Sequence, residues 1–202
     1  MSKIILDLCG GSGSWSLPYK LAGYDVRVVT LPGQDVRNYK IPVGVYGVLA
    51  APPCTEFSKA NYRVKKDKRN FKAGMEIVKA CLNIIWEIQS RGAPLKFWAL
   101  ENPTGYLYNF LGQPSFYFQP WQFGETDFRS TKRTGLWGYF NPPIQTVKYR
   151  SVNIVHDYKR IRKIPLFQFK EQRDNLSYGP NSPAKRAETS SYFAKAFFES
   201  NK

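Results

Sequence analysis

Short apolar runs alternate along the chain with segments in which apolar residues recur at helical spacing. This alternation predicts an α/β fold with a mostly parallel sheet and helices on both faces. The predicted strands cover residues 4–8, 24–30, 43–50, 95–100 and 134–139. The predicted helices cover residues 15–22, 71–89 and 184–200, with Gly23 and Gly92 placed to end the first two.

Polar motifs follow three of these predicted strands. Asp7 ends the first strand, Cys54 follows the third, and Glu101 follows the fourth. In a parallel sheet the carboxyl ends of the strands meet at one edge, and ligands bind there. We therefore expect these three residues to belong to one site.

The turn Cys9-Gly10-Gly11-Ser12-Gly13 joins a strand to a helix. Glycines let the backbone approach a ligand closely because they carry no Cβ. Taken alone, the turn is compatible with a dinucleotide, a nucleoside or no ligand. It does not have the GxGxxG spacing, which disfavours a nicotinamide cofactor.

Cys54 lies in a turn made rigid by Pro52 and Pro53. An isolated cysteine is most often a buried packing residue, whereas a reactive thiolate needs partial exposure and positive surroundings. The three cysteines, Cys9, Cys54 and Cys81, show no CxxC spacing and are odd in number, which favours reduced thiols. Both interpretations of Cys54 stay open on this pattern alone.

The composition is strongly basic, with 30 Lys and Arg against 15 Asp and Glu and a net charge of +15. Such an excess predicts a polyanionic partner, above all nucleic acid, although a generally basic surface would also account for it. The basic residues concentrate in 63–72 and in 129–173, and aromatic residues are interleaved in the second zone. Basic and aromatic side chains together suit phosphate pairing and base stacking.

Taken in order, these segments resemble the motif series of the C5-cytosine DNA methyltransferases. Residues 7–13 resemble the Asp-x-Phe-x-Gly-x-Gly motif, with Cys9 in place of the Phe. Pro53-Cys54 followed by Phe57-Ser58 resembles the nucleophile motif, and Glu101-Asn102-Pro103 resembles Glu-Asn-Val. The resemblance covers about the first 140 residues.

The resemblance implies a Rossmann-like fold that uses S-adenosylmethionine to methylate a cytosine flipped out of DNA. It implies that Cys54 adds to carbon 6, that Glu101 binds N3 and the exocyclic amine, and that Arg133 contacts O2. The implied cofactor-binding residues are Asp7, Leu8, Cys9, Gly10, Gly11, Gly13, Trp15, Asp35, Val36 and Pro53. The implied DNA-binding residues are Ser58, Arg63, Lys65, Lys66, Lys68, Arg69, Arg129 and Lys132.

The chain departs from the family pattern in four places. Thr55 replaces the Gln that follows the nucleophile, and no acidic residue ends the second strand, where Val29-Thr30-Leu31 stand. The Gln-x-Arg-x-Arg motif is approximated by residues 129–133. Glu188-Thr189-Ser190 take the place of the C-terminal Gly-Asn-Ser/Ala motif.

The resemblance divides the chain into three parts. Residues 1–140 are expected to form the catalytic domain, 141–183 a short target-recognition region, and 184–202 a helix that returns to the catalytic domain. His156, in the middle part, has no evident second ligand, and no metal site is expected. We expect a cytoplasmic, monomeric protein without a membrane span, of the kind that serves restriction and modification.

Three other functions remain open. Asn141-Pro142-Pro143-Ile144 resembles the Asn-Pro-Pro-aromatic motif of amino-group methyltransferases. An RNA C5-methyltransferase would share the cofactor and the covalent chemistry. A catalytically silent DNA-binding protein could use the same fold.

Overall fold

The computed structural model describes residues 3–59, 61, 64–92, 95–126, 131–149 and 187–202. Strands and α-helices in these ranges account for most of the predicted elements. In chain order they are β1 Ile4–Leu8, α1 Leu17–Leu21, β2 Asp25–Val29, β3 Val45–Ala50, α2 Phe71–Ser90, β4 Phe97–Pro103, α3 Tyr108–Leu111, β5 Phe116–Phe118, β6 Thr134–Tyr139 and α4 Ser191–Asn201.

The six strands form one mixed sheet in the order β2-β1-β3-β4-β6-β5. The pairings among β2, β1, β3 and β4 are parallel, and β6 runs antiparallel to both β4 and β5. Five strands therefore share one direction and β6 alone runs against them. The α/β class and the mostly parallel sheet are confirmed, and this arrangement is compatible with a Rossmann-like fold.

Helices cover both faces of the sheet, as predicted. Side chains alternate between the two faces of a strand, so Leu6 and Leu8 of β1 pack with Ile85 of α2 in one buried cluster. Ile5 points the other way and packs in a second cluster with Tyr19 of α1 and with α4. The sheet is thus the middle layer between α2 and the pair formed by α1 and α4.

Helix α4 is anchored to the sheet by aromatic packing. Phe193 stacks on Phe118 of β5, with ring centroids 4.0 Å apart and planes 12° from parallel. Ser190 caps the helix by accepting a hydrogen bond from the Phe193 backbone N–H. No helix in the described ranges is both long enough and apolar enough to cross a membrane.

Several predicted boundaries were wrong. Helix α1 begins at Leu17 and not at Trp15, because Pro18 occupies its first turn and the Trp15 ring is buried in the core. Strand β4 continues to Pro103, since β6 pairs with its last residues. Helix α4 begins at Ser191, and nothing is described of residues 150–186.

Two elements were not predicted. Strand β5 has three residues and helix α3 has four, both too short for a periodic pattern to stand out. Both come between β4 and β6 in the chain, and β5 forms the edge of the sheet next to β6.

Candidate functional site

The strand order creates a switch point between β1 and β3. The chain leaves β1 toward β2 on one side and continues from β3 toward β4 on the other. Connections that diverge in this way open a crevice at the carboxyl ends of the two strands, where ligands bind in open α/β sheets. The glycine-rich turn follows β1 at this edge and the Cys54 turn follows β3.

The glycine-rich turn packs directly on the carboxyl group of Asp7. A Cβ at Gly10 would lie 2.4 to 2.6 Å from the three carboxyl atoms of Asp7, so only glycine fits there. Gly11 and Gly13 have φ angles of +56° and +72°, which favour glycine as well. The backbone amide of Gly13 donates to the Gly10 carbonyl at 2.9 Å and closes the turn.

Asp7 is completely buried beneath this turn. The Ser16 hydroxyl donates to its Oδ2 at 2.5 Å, whereas Oδ1 has no hydrogen-bond partner in the described part of the chain. Burial raises the pKa of Asp7 to about 6, and the Ser16 hydrogen bonds oppose that rise only in part. The carboxylate therefore has room for one further donor or positive charge.

Asp7 should make stability depend on pH. Its pKa rises from 3.8 to about 6 on folding, so the folded state holds the proton more tightly and the stabilisation is present below about pH 4 and lost as the pH rises through 6. The loss amounts to about 3 kcal/mol. The Asp7→Asn substitution mimics the protonated form. Measured in denaturant, the free energy of unfolding of this variant minus that of the unmutated protein should be larger at pH 7 than at pH 4 by about 3 kcal/mol. The same difference at both pH values would contradict the raised pKa of Asp7.

Cys9 has a φ angle of +58°, and its thiol lies 4.0 Å from the Cys81 thiol of α2. The hydrogen bond with Cys81 lowers the pKa of Cys9. Two other predicted cofactor residues, Leu8 and Trp15, are buried in the core. They support the turn from beneath.

Asp35 lies at the start of a 3-10 turn, Val36–Asn38, and its carboxylate is already paired. The Arg37 guanidinium donates to both carboxylate oxygens, and the Arg37 backbone amide donates to Oδ1 at 2.9 Å. These hydrogen bonds lower the pKa of Asp35 to about 2. Val36 is buried, and Asp35 lines an open cavity of about 620 Å³ together with Val28 of β2.

The Cys54 turn is tied to strand β4. The Asn102 side-chain amide donates to the Pro52 carbonyl at 3.0 Å across the strand ends. The Cys54 carbonyl accepts hydrogen bonds from the backbone amides of Phe57 and Ser58 at 3.0 and 2.8 Å. Cys54 is half-buried and Pro53 is exposed, so the thiol lies in a fixed turn and is partly withdrawn from water.

A second junction joins the segment after Cys54 to the segment after Glu101. Ser58 and Gly105 form an antiparallel bridge, and the Tyr106 amide donates to the Phe57 carbonyl at 2.8 Å. A Cβ at Gly105 would lie 2.0 Å from the same carbonyl oxygen. The Cys54 turn and the end of β4 that contains Glu101 are thus held together as one unit.

Three polar side chains act on one another at this junction. Glu101 pairs with Leu136 of β6, two residues before the end of β4, and its Oε1 lies 3.7 Å from Lys132 Nζ. Burial raises the pKa of the Cys54 thiol, the Lys132 charge lowers it, and the Glu101 charge raises it. The Glu101–Lys132 ion pair is therefore close enough to the Cys54 turn for both of its charges to act on the thiol.

Arg133 lies at the surface of the described structure. It is exposed, and its guanidinium lies over the ring of Tyr117, 4.6 Å from the centroid. The Arg133 carbonyl accepts a hydrogen bond from the Thr104 amide at 2.9 Å. Lys132, predicted to contact DNA, is the cation that pairs with Glu101.

A basic surface surrounds Tyr106. Lys59, Lys66 and Arg69 place their charges 5.7, 5.5 and 5.2 Å from the centroid of its ring. Arg69 also donates to the Glu56 carbonyl at 2.9 Å and so braces the segment that follows Cys54. Of the other predicted DNA contacts, Lys65 and Lys68 are exposed and Ser58 is buried, while Arg63, Arg129 and most of the second basic zone lie outside the described residues.

The sequence analysis gave no role to Ser16, which holds Asp7, or to the Asn102 side chain, which holds the Cys54 turn. The backbone amide of Thr189 donates to Ser14 Oγ at 3.2 Å and so brings the chain end to the glycine-rich turn. The Glu-Asn pairing was a signal for Asn102. Nothing in the sequence marked Ser16.

No known protein family matched this chain, and no curated protein matched it. Among the described residues no cluster of three or more His, Cys, Asp or Glu could hold a metal ion. The fold and the site define an α/β protein with a candidate ligand site at the carboxyl edge of a mostly parallel sheet.

Proposed function

We propose that the protein is an S-adenosylmethionine-dependent DNA (cytosine-5)-methyltransferase with Cys54 as its nucleophile. The observation that carries the proposal is the Glu101–Lys132 ion pair, whose two charges act on the Cys54 thiol, at the edge of the sheet where the glycine-rich turn also lies. Each residue type has a defined task in methylation of cytosine at carbon 5. Their arrangement agrees with the resemblance in the sequence.

The glycine-rich turn fits the proposed cofactor. S-adenosylmethionine supplies the electrophilic methyl group when bound. Gly10 brings the backbone onto Asp7, and the unpartnered Asp7 Oδ1 is a ready acceptor for a donor at this turn. The acceptor for the ribose is not evident at the end of β2, where Thr30 stands, and Asp35 would have to share its carboxylate with Arg37.

The chemistry follows from the charges. The Cys54 thiolate adds to carbon 6 of the cytosine, and Glu101 stabilises the ring by binding N3 and the exocyclic amine. S-adenosylmethionine bound at the glycine-rich turn would supply the methyl group to carbon 5 and would leave as S-adenosylhomocysteine, whose sulfur keeps the electron pair of the broken bond. Loss of the carbon 5 proton to a base and departure of the thiolate restore the aromatic ring and the free enzyme.

The basic surface around Tyr106 supports DNA as the substrate. Lys59 and Lys66 are exposed beside the segment that follows Cys54, and no carboxylate in the described part of the chain forms an ion pair with them. Cations placed in this way pair with phosphates whatever the sequence. A cytosine must leave the duplex to reach Cys54, and phosphate contacts near the site would hold the strand while it does so.

The amino-methyltransferase alternative has no support in the geometry. Asn141 follows β6, which runs antiparallel, so it lies at the edge of the sheet opposite Cys54. Its side-chain amide donates to the Ser200 carbonyl at 2.9 Å, and its backbone amide donates to Asn201 Oδ1 at 2.8 Å. Asn141 therefore anchors the end of α4.

The test is covalent trapping on DNA that contains 5-fluorocytosine, with S-adenosylmethionine present. The fluorine blocks the final elimination, so we expect a stable complex that survives denaturation, with unsubstituted DNA as the control. A matched RNA substrate separates the RNA enzyme from the DNA enzyme. Binding of DNA without any trapped complex would overturn the proposal in favour of a silent DNA-binding protein.

A further inference from the structure

We propose that Lys132 is the positioning residue of this site, the cation that holds the Glu101 carboxylate in place and sustains the thiolate form of Cys54. The use of that thiolate in methyl transfer rests on the proposed function. The fraction of Cys54 in the thiolate form does not depend on that function, and it can be measured without cofactor or DNA.

The geometry places Lys132 inside the site. Its Nζ lies 3.7 Å from Glu101 Oε1, and the two side chains are only 29% and 12% exposed. A charge pair that is partly withdrawn from water is screened less than a surface pair, so its effect on neighbouring groups is larger. Lys132 is held there because the adjacent Arg133 carbonyl is bound by the Thr104 amide next to β4.

The electrostatics around Cys54 involve few groups. In the described part of the chain, Lys132 and Glu101 are the charged groups that act on the thiol, with opposite signs. Burial also disfavours the thiolate. Lys132 is therefore the charged group in the described part of the chain that opposes both effects, although the Cys54 pKa stays above its ordinary value.

The neighbouring cation does not share this role. The Arg133 guanidinium is exposed and lies over the ring of Tyr117, whereas it is the Lys132 charge that lowers the pKa of Cys54. Lys132 and Arg133 thus form a matched pair of adjacent cations, one inside the site and one outside it.

The experiment is alkylation of Cys54 by iodoacetamide across a pH series, followed by mass spectrometry of the peptide that contains Cys54. The thiolate displaces iodide and forms a carbon–sulfur bond, so the rate reports the thiolate fraction. We expect Lys132→Met to slow alkylation about tenfold at pH 7.5 and to move the profile to higher pH. Lys132→Arg should restore most of the rate, and Arg133→Met should leave the profile unchanged.

Glu101→Gln provides the opposite test, because removal of the carboxylate should speed alkylation and move the profile to lower pH. This variant keeps the proposal testable if Lys132→Met does not fold. An unchanged profile in Lys132→Met, or a shift in Arg133→Met of the size expected for Lys132, would overturn the proposal. If Lys132→Met shifts the alkylation profile but the unmutated protein forms no trapped complex with 5-fluorocytosine DNA, the role of Lys132 stands. The proposed methyltransferase function is then refuted.

Discussion

Cys54→Ala is expected to reduce methyl transfer to background while binding of S-adenosylmethionine and DNA stays close to that of the unmutated protein. Covalent catalysis at carbon 6 requires the sulfur, and no other thiol can replace it. Cys9 and Cys81 contact each other on the α2 side of the sheet. The measurement is transfer of a labelled methyl group to DNA, with calorimetry for the two binding steps.

Glu101→Gln should lower turnover about a hundredfold to a thousandfold, since the amide cannot match the carboxylate in stabilising charge at N3. Glu87→Gln is the matched control, because Glu87 pairs with Arg91 on the surface of α2. Its turnover should not change. Full activity in Cys54→Ala would refute the C5 mechanism, and equal losses in both glutamine variants would remove the special role of Glu101.

Gly10→Ala should destabilise the protein by about 2 kcal/mol and abolish cofactor binding, because the new methyl group would overlap the buried Asp7 carboxyl. That carboxyl cannot move away freely, since Ser16 holds it at 2.5 Å. Unfolding in denaturant and calorimetry with S-adenosylmethionine measure the two effects.

Gly33→Ala is the control for this change. Its added Cβ would meet its nearest atom, the Thr30 carbonyl oxygen, at an ordinary 3.5 Å. The double change Asp7→Ala with Gly10→Ala should recover stability relative to Gly10→Ala alone, because the overlap is gone. Normal stability and normal binding in Gly10→Ala would show that the turn does not pack on Asp7 as described.

The sequence predicted the central strands and the long helix α2 well. Strand β6 was predicted at its observed bounds, and α2 ends one residue beyond its prediction. These elements bury one or both faces, so their apolar residues must follow the period of a strand or a helix. Asp7 and Cys54 could be placed at strand ends for the same reason.

The position of Glu101 needed the tertiary structure. The apolar run ends at Leu100, yet β4 continues to Pro103 because β6 supplies hydrogen-bonding partners for three more residues. The antiparallel direction of β6 also cannot be predicted from the sequence. Because of this direction, Asn141 lies at the edge of the sheet opposite the one where Cys54 lies.

The sequence by itself determined the α/β class, the edge of the sheet at which chemistry is expected, and the residue types gathered there. Only the tertiary structure decided which of two adjacent cations enters the site. Lys132 and Arg133 are equivalent in charge, but Lys132 Nζ lies 3.7 Å from Glu101 Oε1 whereas Arg133 lies over the ring of Tyr117. These contacts follow from the pairing of β6 with β4, segments more than thirty residues apart in the chain, so no local pattern in the sequence determines them.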